Sequence, residues 1–259
     1  MPSNKLSIPD LAGKAVLITG ASTGIGAELV RAFAAQGAMV GIHYHSSGKT
    51  AEALAEEVAA TGARVRLVRA DAMKTDQLRR AVDAVAEAFG TLDGLINNAG
   101  GMVARVTYEA MTDAHYDAVM DLNARSVLTA SAAAVPYLKR QGGFIINTAS
   151  VAGRTGASSG AGVYGSSKAF VANVTRGMAK ELIGHDIRVN AVSPGIIDTP
   201  FHERYTTPEQ MNVMRATIPL GRIGTPQECV GTYLFLASKL LSGYIIGQTI
   251  EVNGGQLMP

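Results

Sequence analysis

The sequence is poor in cysteine and in charged residues. Its 259 residues include one cysteine, Cys229, so an intrachain disulfide is excluded and a reducing compartment is expected. No histidine or asparagine pattern accompanies this cysteine, and we interpret it as a thiol of the core. Charged residues make up 17% of the chain, the formal charge is +2, and no basic run stands out. These features argue against nucleic acid as a partner.

Long apolar runs are missing as well. No window is long and apolar enough to cross a bilayer, and residues 1–11 lack the apolar segment of a signal peptide. We therefore expect a soluble cytoplasmic protein without a membrane partner. Apolar residues nevertheless make up 47% of the sequence, which is enough for a sizeable core. No linker or internal repeat is visible, which predicts one domain over residues 1–259.

Short apolar runs alternate with stretches of helical period along the chain. The predicted strands cover residues 14–19, 38–43, 65–70, 92–97, 144–148, 187–192 and 248–252. The first predicted helix follows the first strand and ends at Gly37, and further helices cover residues 51–60, 76–89, 163–183 and 227–237. Two more helical segments are predicted before Gln141, with breaks near Thr112 and near Asn123. This alternation predicts an α/β fold, a Rossmann-type doubly wound parallel sheet of about seven strands with helices on both faces. Residues 194–225 have no single period, and we expect a substrate loop at about 196–222, because loops beyond the strand ends carry specificity in such sheets.

Three glycines, Gly20, Gly24 and Gly26, follow the first predicted strand. A glycine lets the chain turn in a conformation that other residues avoid, and further glycines let the backbone approach a pyrophosphate. The helix that follows offers free N–H groups and the positive end of its dipole to phosphates. The spacing G-x-x-x-G-x-G differs from the common G-x-G-x-x-G. Its place between a strand and a helix predicts a nucleotide-binding turn.

Tyr164 and Lys168 are four residues apart in a predicted helix, which places both side chains on one face. A free tyrosine hydroxyl has a pKa of about 10 and is a poor acid–base group at neutral pH. We expect the nearby ammonium to favour the phenolate and to lower this pKa. The pair could then exchange a proton with an alcohol or a carbonyl oxygen. The same spacing also occurs by chance in surface pairs, so its interpretation depends on the surrounding motifs.

Five motifs follow one another along the chain. They are Thr19-Gly-x-x-x-Gly-Ile-Gly26, Asn97-Asn98-Ala99-Gly100, Ser150, Tyr164-x-x-x-Lys168 and Pro194-Gly195. In this order and at this spacing the chain resembles the short-chain dehydrogenase/reductase superfamily, and the tail Asn253-Gly254-Gly255 resembles it as well. The resemblance covers nearly the whole chain. It implies an NAD(P)-dependent oxidoreductase that transfers a hydride between the nicotinamide and a ketone or secondary alcohol.

The resemblance implies catalytic roles for Asn123, Ser150, Tyr164 and Lys168. Tyr164 would be the acid–base, while Lys168 would lower its pKa and hold the hydroxyls of the nicotinamide ribose. Ser150 would hydrogen-bond the substrate oxygen, where such a donor helps most as charge develops. Asn123 would support a water that links the lysine to solvent. An asparagine at that place could also be a solvated surface residue.

The same resemblance implies a set of cofactor-binding residues from the glycine turn, the ends of the next strands and the loop before residue 200. They are Gly20, Ser22, Thr23, Gly24, Ile25, Gly26, Tyr44, His45, Ser46, Asp71, Ala72, Asn98, Ala99, Gly100, Tyr164, Lys168, Pro194, Gly195, Ile197 and Thr199. Asp71 would contact the adenine. The alternative is that it is an ordinary aspartate at the start of the next helix. Asn98 to Gly100 would line the adenosine side, and Thr199 would lie near the carboxamide.

The run after the second strand bears on the choice between NAD and NADP. An acidic side chain there usually accepts the ribose 2′-hydroxyl of NAD and repels the phosphate of NADP. The run from Tyr44 to Lys49 has hydroxyls, a histidine and a lysine but no carboxylate, which favours NADP. One departure leaves NAD open, because Ser22 and Thr23 stand where many NADP-dependent members carry Arg or Lys.

Two histidines near the same strand, His43 and His45, raise the question of a metal site. No third ligand is nearby in the sequence. We interpret both as surface histidines and expect no metal.

The substrate is less determined by the sequence. The predicted substrate loop contains His202, Glu203, Arg204, Tyr205 and Met211, which suits a medium-sized polar molecule or an acyl thioester. Reduction of a 3-oxoacyl-type ketone with NADPH is the leading hypothesis, and NAD-dependent oxidation of a sugar or polyol is the alternative. A nucleotide-sensing protein without catalysis is a third hypothesis, which the intact catalytic residues disfavour.

Two predicted helical stretches, residues 123–140 and 163–183, are rich in alanine and glycine. Small residues would allow subunits to pack closely along these helices. The resemblance implies a homotetramer.

Overall fold

The computed structural model describes residues 7–259. The prediction that residues 1–11 lack a signal peptide falls partly on the first six residues, which lie outside this range. Seven strands form one sheet: β1 (Ala15–Ile18), β2 (Met39–Tyr44), β3 (Val65–Arg69), β4 (Gly94–Asn97), β5 (Gly143–Thr148), β6 (Ile187–Pro194) and β7 (Thr249–Val252). Their order is β3-β2-β1-β4-β5-β6-β7, and every neighbouring pair is parallel. The predicted Rossmann-type sheet is confirmed.

Helices connect successive strands. They are α1 (Gly24–Ala35), α2 (Gly48–Ala59), α3 (Thr75–Phe89), α4 (Asp113–Met120), α5 (Ser126–Leu138), α6 (Ala152–Thr155), α7 (Gly162–Leu182), α8 (Pro200–Tyr205), α9 (Pro208–Ala216), α10 (Pro226–Ala237) and α11 (Lys239–Ser242). Four of them, α6, α8, α9 and α11, were not predicted, because segments of four to nine residues are too short to show a clear period. None of the helices among the described residues combines the length and the apolarity that a membrane span requires.

The strands alternate their side chains between two cores. Val16 and Ile18 of β1 pack on the side of α1, α2 and α10, whereas Leu17 packs on the side of α3, α5 and α7. This alternation follows from the pleat of a strand, and a sheet covered on both faces therefore needs continuous apolar strands. Cys229 of α10 is fully buried in the first of these cores, and burial raises its pKa to about 12. The interpretation of this cysteine as a core thiol is confirmed.

A π turn, Asp121–Arg125, joins α4 to α5 without a break. The amide of Ser126 bonds back to the carbonyl of Asp121, five residues earlier. The carboxamide of Asn123 donates to the carbonyl of Val119 at 2.8 Å, and Asn123 is fully buried. The expected break near Asn123 is therefore a widened turn, and the alternative of a surface asparagine is wrong.

The segment without a single period folds into the two short helices α8 and α9. Each has a proline in its first turn, where a missing N–H costs nothing. The hydroxyl of Thr207 accepts the amide of Gln210 at 3.3 Å, and the side chain of Gln210 accepts the amide of Thr207 at 3.0 Å. This reciprocal capping fixes the start of α9. The sequence shows no single helical period over this segment, because each of the two helices is shorter than the stretch of residues in which such a period can be recognised.

His43 lies in β2 and is 2% exposed, so the prediction of a surface histidine is wrong for this residue. Its Nδ1 accepts the amide of Gly20 at 3.1 Å, which leaves Nε2 to donate to the carbonyl of Ala70 at 3.1 Å. The ring thereby ties the ends of β1 and β3 to β2. Burial lowers the pKa of His43 to about 4. His45 is exposed, and no group of three or more His, Cys, Asp or Glu side chains in residues 7–259 could hold a metal ion.

The burial of His43 predicts an acid-sensitive stability. The unfolded chain binds a proton on this ring near pH 6.5, whereas the folded chain binds it only near pH 4. Between these values the unfolded state binds more protons, so the free energy of unfolding falls as the pH falls, by about 3 kcal/mol from this residue. Urea unfolding from pH 7 to pH 4 measures the slope.

The variant His43→Asn should show a clearly smaller slope, and His185→Asn, in the exposed turn after α7, should keep it. Some slope should remain in both, because burial also lowers the pKa of His202. An unchanged slope in His43→Asn would contradict the assignment.

Candidate active site

One cleft of about 730 Å³ opens at the carboxyl edge of the sheet. Its walls come from the segments that follow β1, β4, β5 and β6, together with α8 and α9. The strand order reverses between β1 and β4, and a crevice at such a reversal is where open α/β sheets bind ligands. The motifs that were far apart in sequence therefore meet at one place.

The glycine turn forms one end of this cleft. Gly20 and Gly24 have φ of +60° and +55°, in the left-handed region that favours glycine. A Cβ on Gly26 would overlap the carbonyl oxygen of Gly20 and lie 2.7 Å from Nδ2 of Asn98. Helix α1 begins here, and the side chain of Thr23 at its N-cap makes no capping hydrogen bond among the described residues. The free amides of this first turn fit a pyrophosphate.

The ends of β1 and β4 are joined by side chains. The hydroxyl of Thr19 accepts the amides of Asn98 and Ala99, both at 3.0 Å. The carboxamide of Asn98 donates to the carbonyls of Thr19 at 3.0 Å and Gly20 at 2.9 Å. The backbones approach so closely that a Cβ on Gly20 would lie 2.8 Å from Cα of Ala99. These bonds hold the two walls of the crevice at a fixed separation.

Ser150, Tyr164 and Lys168 line the same cleft. Ser150 lies two residues beyond β5, and its hydroxyl interacts with the phenol of Tyr164. Tyr164 and Lys168 lie one turn apart on α7, with Nζ of Lys168 5.9 Å from the centre of the tyrosine ring. The ammonium donates to the carbonyl of Thr148 at 2.8 Å, and Lys168 is 4% exposed. The structure thus brings together the three groups that the sequence singled out.

The protonation of this group differs from the prediction. Burial raises the pKa of Tyr164 to about 12, against the smaller opposite effect of its hydrogen bond with Ser150. Burial also lowers the pKa of Lys168 to about 8. The expected lowering of the tyrosine pKa by the ammonium is therefore wrong for the protein alone, because desolvation of the phenol dominates. At neutral pH the phenol is protonated and can donate a proton.

Asn123 lies behind the cleft and does not line it. Its carboxamide donates to the carbonyl of Gly101 at 2.8 Å and accepts the amide of Gly101 at 3.0 Å. Gly100 sits between Asn123 and Lys168, since a Cβ there would lie 2.7 Å from Oδ1 of the asparagine and 3.1 Å from Nζ of the lysine. The asparagine side chain supports the loop against which the lysine packs.

Most of the expected cofactor-binding residues line the cleft, including Pro194, Gly195, Ile197 and Thr199 beyond β6. Five do not. Tyr44, His45 and Ser46 line a second cleft of about 570 Å³ beyond β2, and Asp71 and Ala72 line neither of these two clefts. The carboxylate of Asp71 accepts the amide of Met73 at 2.9 Å, in the turn before α3.

The family described as enoyl-(acyl carrier protein) reductase matches residues 20–256. The 3-oxoacyl-[acyl-carrier-protein] reductase FabG of Thermotoga maritima is 38% identical over 250 residues, which cover 95% of this chain and 98% of that protein. Among solved structures, the NADH-dependent reductase A1-R′ responsible for alginate metabolism is 40% identical with a TM-score of 0.89, covering 97% of this chain and 100% of that chain. A short-chain dehydrogenase from Burkholderia cenocepacia in complex with NADP is 33% identical with a TM-score of 0.89, covering 95% and 98%.

The chain belongs to the short-chain dehydrogenase/reductase family. As a member of it, the protein is an oxidoreductase that uses a nicotinamide cofactor and transfers a hydride between it and a ketone or a secondary alcohol. Its glycine turn and the Ser150–Tyr164–Lys168 group line one cleft. That arrangement fits a dinucleotide whose nicotinamide reaches the reactive groups.

Three residues of this short-chain dehydrogenase/reductase were missed by sequence reasoning. The ring of Phe201 of α8 packs against the ring of Tyr164, tilted by 41° and with the ring centroids 5.5 Å apart. Arg105, in the loop after β4, lines the cleft, and Arg69 at the end of β3 lines the second cleft. A lone arginine in a loop or at a strand end has no periodic signal, so only the fold reveals what it faces.

The contacts of Gly26 predict a loss of cofactor binding in Gly26→Ala. The added methyl must push apart the glycine turn and Asn98, at a cost of about 1–3 kcal/mol. We expect the free energy of unfolding to fall by this amount and the Kd for the nicotinamide dinucleotide to rise, as measured by urea unfolding and fluorescence titration.

The matched control is Gly231→Ala, because Gly231 lies in α10 and a Cβ there meets nothing within 4 Å. Alanine should leave cofactor binding unchanged and stabilise this helix slightly. Equal Kd values for the two variants would contradict the role of the turn.

Proposed function

We propose that this protein reduces a 3-oxoacyl-type ketone with NADPH. The observation that carries the proposal is the geometry of one cleft, whose lining brings the phenol of Tyr164, the hydroxyl of Ser150 and the glycine turn together. A group with a pKa of about 12 holds its proton at neutral pH and so acts as an acid, as reduction of a carbonyl requires. Similarity to 3-oxoacyl-[acyl-carrier-protein] reductases over nearly the full chain supports this substrate class.

The reaction needs two hydrogen-bond donors at the substrate oxygen. In the proposal, Ser150 donates to the carbonyl oxygen and stabilises the negative charge that develops on it. Tyr164 then passes its phenolic proton to the same oxygen. The nicotinamide, when bound, supplies the hydride. Phe201 packs on the ring of Tyr164 and so limits the positions of the phenol.

Lys168 has a supporting role in the proposal. Its ammonium is anchored on the carbonyl of Thr148, and its pKa of about 8 keeps most of it charged at pH 7. A positive charge near the phenol stabilises the phenolate that remains after proton transfer. Its remaining N–H groups can hold ribose hydroxyls. Asn123 would act through the Gly100–Gly101 loop, which it positions beside the lysine.

The cofactor would extend from α1 to the loop after β6. Gly20 to Gly26 would hold the pyrophosphate, Asn98 to Gly100 would line the adenosine half, and the residues from Pro194 to Thr199 would hold the nicotinamide. A Cβ on Gly24 would lie 3.2 Å from Cγ2 of Thr199, so the two walls nearly touch over this part of the cleft. Asp71 and Ala72 remain proposed neighbours of the adenine, at the end of β3.

The preference for NADP rests on the second cleft. Tyr44, His45 and Ser46 share it with the cations Lys49 and Arg69, and Nε of Arg69 donates to the carbonyl of His45 at 3.2 Å. A guanidinium suits a phosphate because it can donate several hydrogen bonds. Glu52 also lines this cleft and would oppose the phosphate, but it comes from α2 rather than from the end of β2.

Use of NAD on a sugar or polyol is the second candidate. The observation that favours it is the 40% identity to an NADH-dependent reductase responsible for alginate metabolism. The two candidates share the fold and the catalytic group, so cofactor and substrate kinetics separate them.

The organisation of the chain is also part of the proposal. We treat residues 1–259 as one domain with its substrate-binding segment at 196–222, and we propose a homo-oligomer, a tetramer by family resemblance, in the cytoplasm. Large apolar side chains that are exposed in and just after α11, Leu240, Leu241 and Tyr244, support an association surface.

Replacement of the phenol tests the catalytic proposal. In Tyr164→Phe we expect kcat to fall about 100- to 10,000-fold, because the proton donor is lost, while the Kd for NADPH stays the same. Tyr116→Phe, at an exposed tyrosine of α4, is the control and should keep full activity. Initial rates with acetoacetyl and crotonyl thioesters distinguish ketone from enoyl reduction. Retained turnover in Tyr164→Phe would refute the mechanism.

Replacement of Arg69 tests the cofactor preference. In Arg69→Gln we expect the KM for NADPH to rise about tenfold and the KM for NADH to change little, because a charge-assisted bond to the phosphate is lost. Arg66→Gln, at an exposed arginine on the same strand, should leave both values unchanged. Wild-type protein that prefers NADH on a sugar would instead support the second candidate.

A further inference from the structure

The charged side chains that line the main cleft are all basic. They are Lys168 and Arg105, with His202 as a third group that can become positive, and the lining includes no Asp or Glu. Burial and the charge of Arg105 lower the pKa of His202, while Asp198 acts in the opposite direction from outside the lining. Lys168 lies in the wall beside the tyrosine. Arg105 is thus the second fixed cation of a cleft without a carboxylate.

Arg105 is held in place by the end of α8 and by the loop between α6 and α7. Its Nε donates to the carbonyl of Tyr205 at 2.7 Å, and its Nη1 donates to the hydroxyl of Ser158 at 3.0 Å and to the carbonyl of Ser159 at 2.9 Å. These bonds use Nε and Nη1, and no partner of Nη2 is recorded among the described residues. All three acceptors are uncharged, and no carboxylate of the described chain forms an ion pair with this guanidinium. The side chain is oriented but not neutralised.

Ring contacts connect the segment that holds Arg105 with the reactive phenol. The ring of Tyr205, whose carbonyl holds Arg105, packs at 5.0 Å on Phe201, and Phe201 packs at 5.5 Å on Tyr164. None of the acceptors of Arg105 belongs to the glycine turn, where the pyrophosphate would bind. The positive charge of Arg105 is therefore held by segments other than the proposed pyrophosphate site, two ring contacts away from the proton donor.

We propose that Arg105 binds an anionic oxygen group of the substrate, a carboxylate or a phosphate, that lies several bonds from the reduced ketone. The inference rests on the proposed carbonyl reduction and adds a substrate class to it. An oriented guanidinium whose Nη2 has no other partner among the described residues can donate charge-assisted hydrogen bonds to such a group, and the apolar surroundings of the cleft strengthen them. A substrate of this class carries both a ketone and an anionic group. Binding of the anionic group to Arg105 fixes the orientation in which the substrate enters the cleft.

Binding to the enzyme–NADP⁺ complex tests the proposal by calorimetry, without turnover. The first pair of probes is 5-oxohexanoate and its methyl ester. The second pair is acetoacetyl-coenzyme A and acetoacetyl-N-acetylcysteamine, which lacks the phosphates. We expect Arg105→Gln to weaken binding of at least one anionic probe about tenfold or more and to leave its neutral partner within twofold. The pair that responds identifies a carboxylate or a phosphate.

Arg204→Gln is the matched control, since Arg204 is an exposed arginine of α8 that does not line the cleft. It should leave all four affinities unchanged. Should Arg105→Gln fail to fold, the wild type still decides, because added salt should weaken the anionic probe and not the neutral one. Equal losses for charged and neutral probes, or no salt dependence, would overturn the proposal. Reduction of the neutral thioester with NADPH is scored separately and tests the proposed function.

Discussion

The hydroxyl of Thr19 and the carboxamide of Asn98 fix the separation of β1 and β4, and the active cleft depends on that separation. Between them they form four hydrogen bonds across the point where the sheet reverses. The backbones are then so close that Gly20 has no room for a side chain. His43 adds a bond from the other side, to the amide of Gly20. The glycine turn is rigid because polar groups on three strands hold it, and not because glycine itself favours one conformation.

Desolvation decides the chemistry of the catalytic group. The same burial raises the pKa of Tyr164 and lowers the pKa of Lys168, so both groups are pushed toward their neutral forms. The spacing of the two residues predicts an attraction between charges, which would have the opposite effect on the tyrosine. The effect of burial is the larger one, because the free energy needed to move a phenolate from water into the wall of the cleft exceeds its attraction to an ammonium one helical turn away. The protein alone is therefore set up to give a proton to a substrate.

The sequence was sufficient for the sheet, for the helices of twelve residues or more and for the motif residues of the main cleft, since period and motif order both depend on local pattern. It was insufficient where a property depends on the packed surroundings. The π turn at Asn123 follows from side-chain bonds to Val119 and Gly101, which no local propensity encodes. The burial of His43 follows from the neighbours of β2. Arg69 and Arg105 face clefts only because distant segments come together around them.

The absence of lining carboxylates links these observations. A buried ammonium without an acidic partner loses hydration that nothing in the cleft wall replaces, and this loss lowers the pKa of Lys168. Arg105 has only uncharged acceptors, and the first turn of α1 adds a partial positive charge at the far end. Such a cleft is stabilised by anions that arrive with its ligands rather than by its own side chains. A bound dinucleotide supplies negative charge at one end of the cleft, and an anionic ketone supplies it at the other. Both ligands would therefore raise the pKa of Lys168, which lies between them and supports the proton donor, and would keep its ammonium charged.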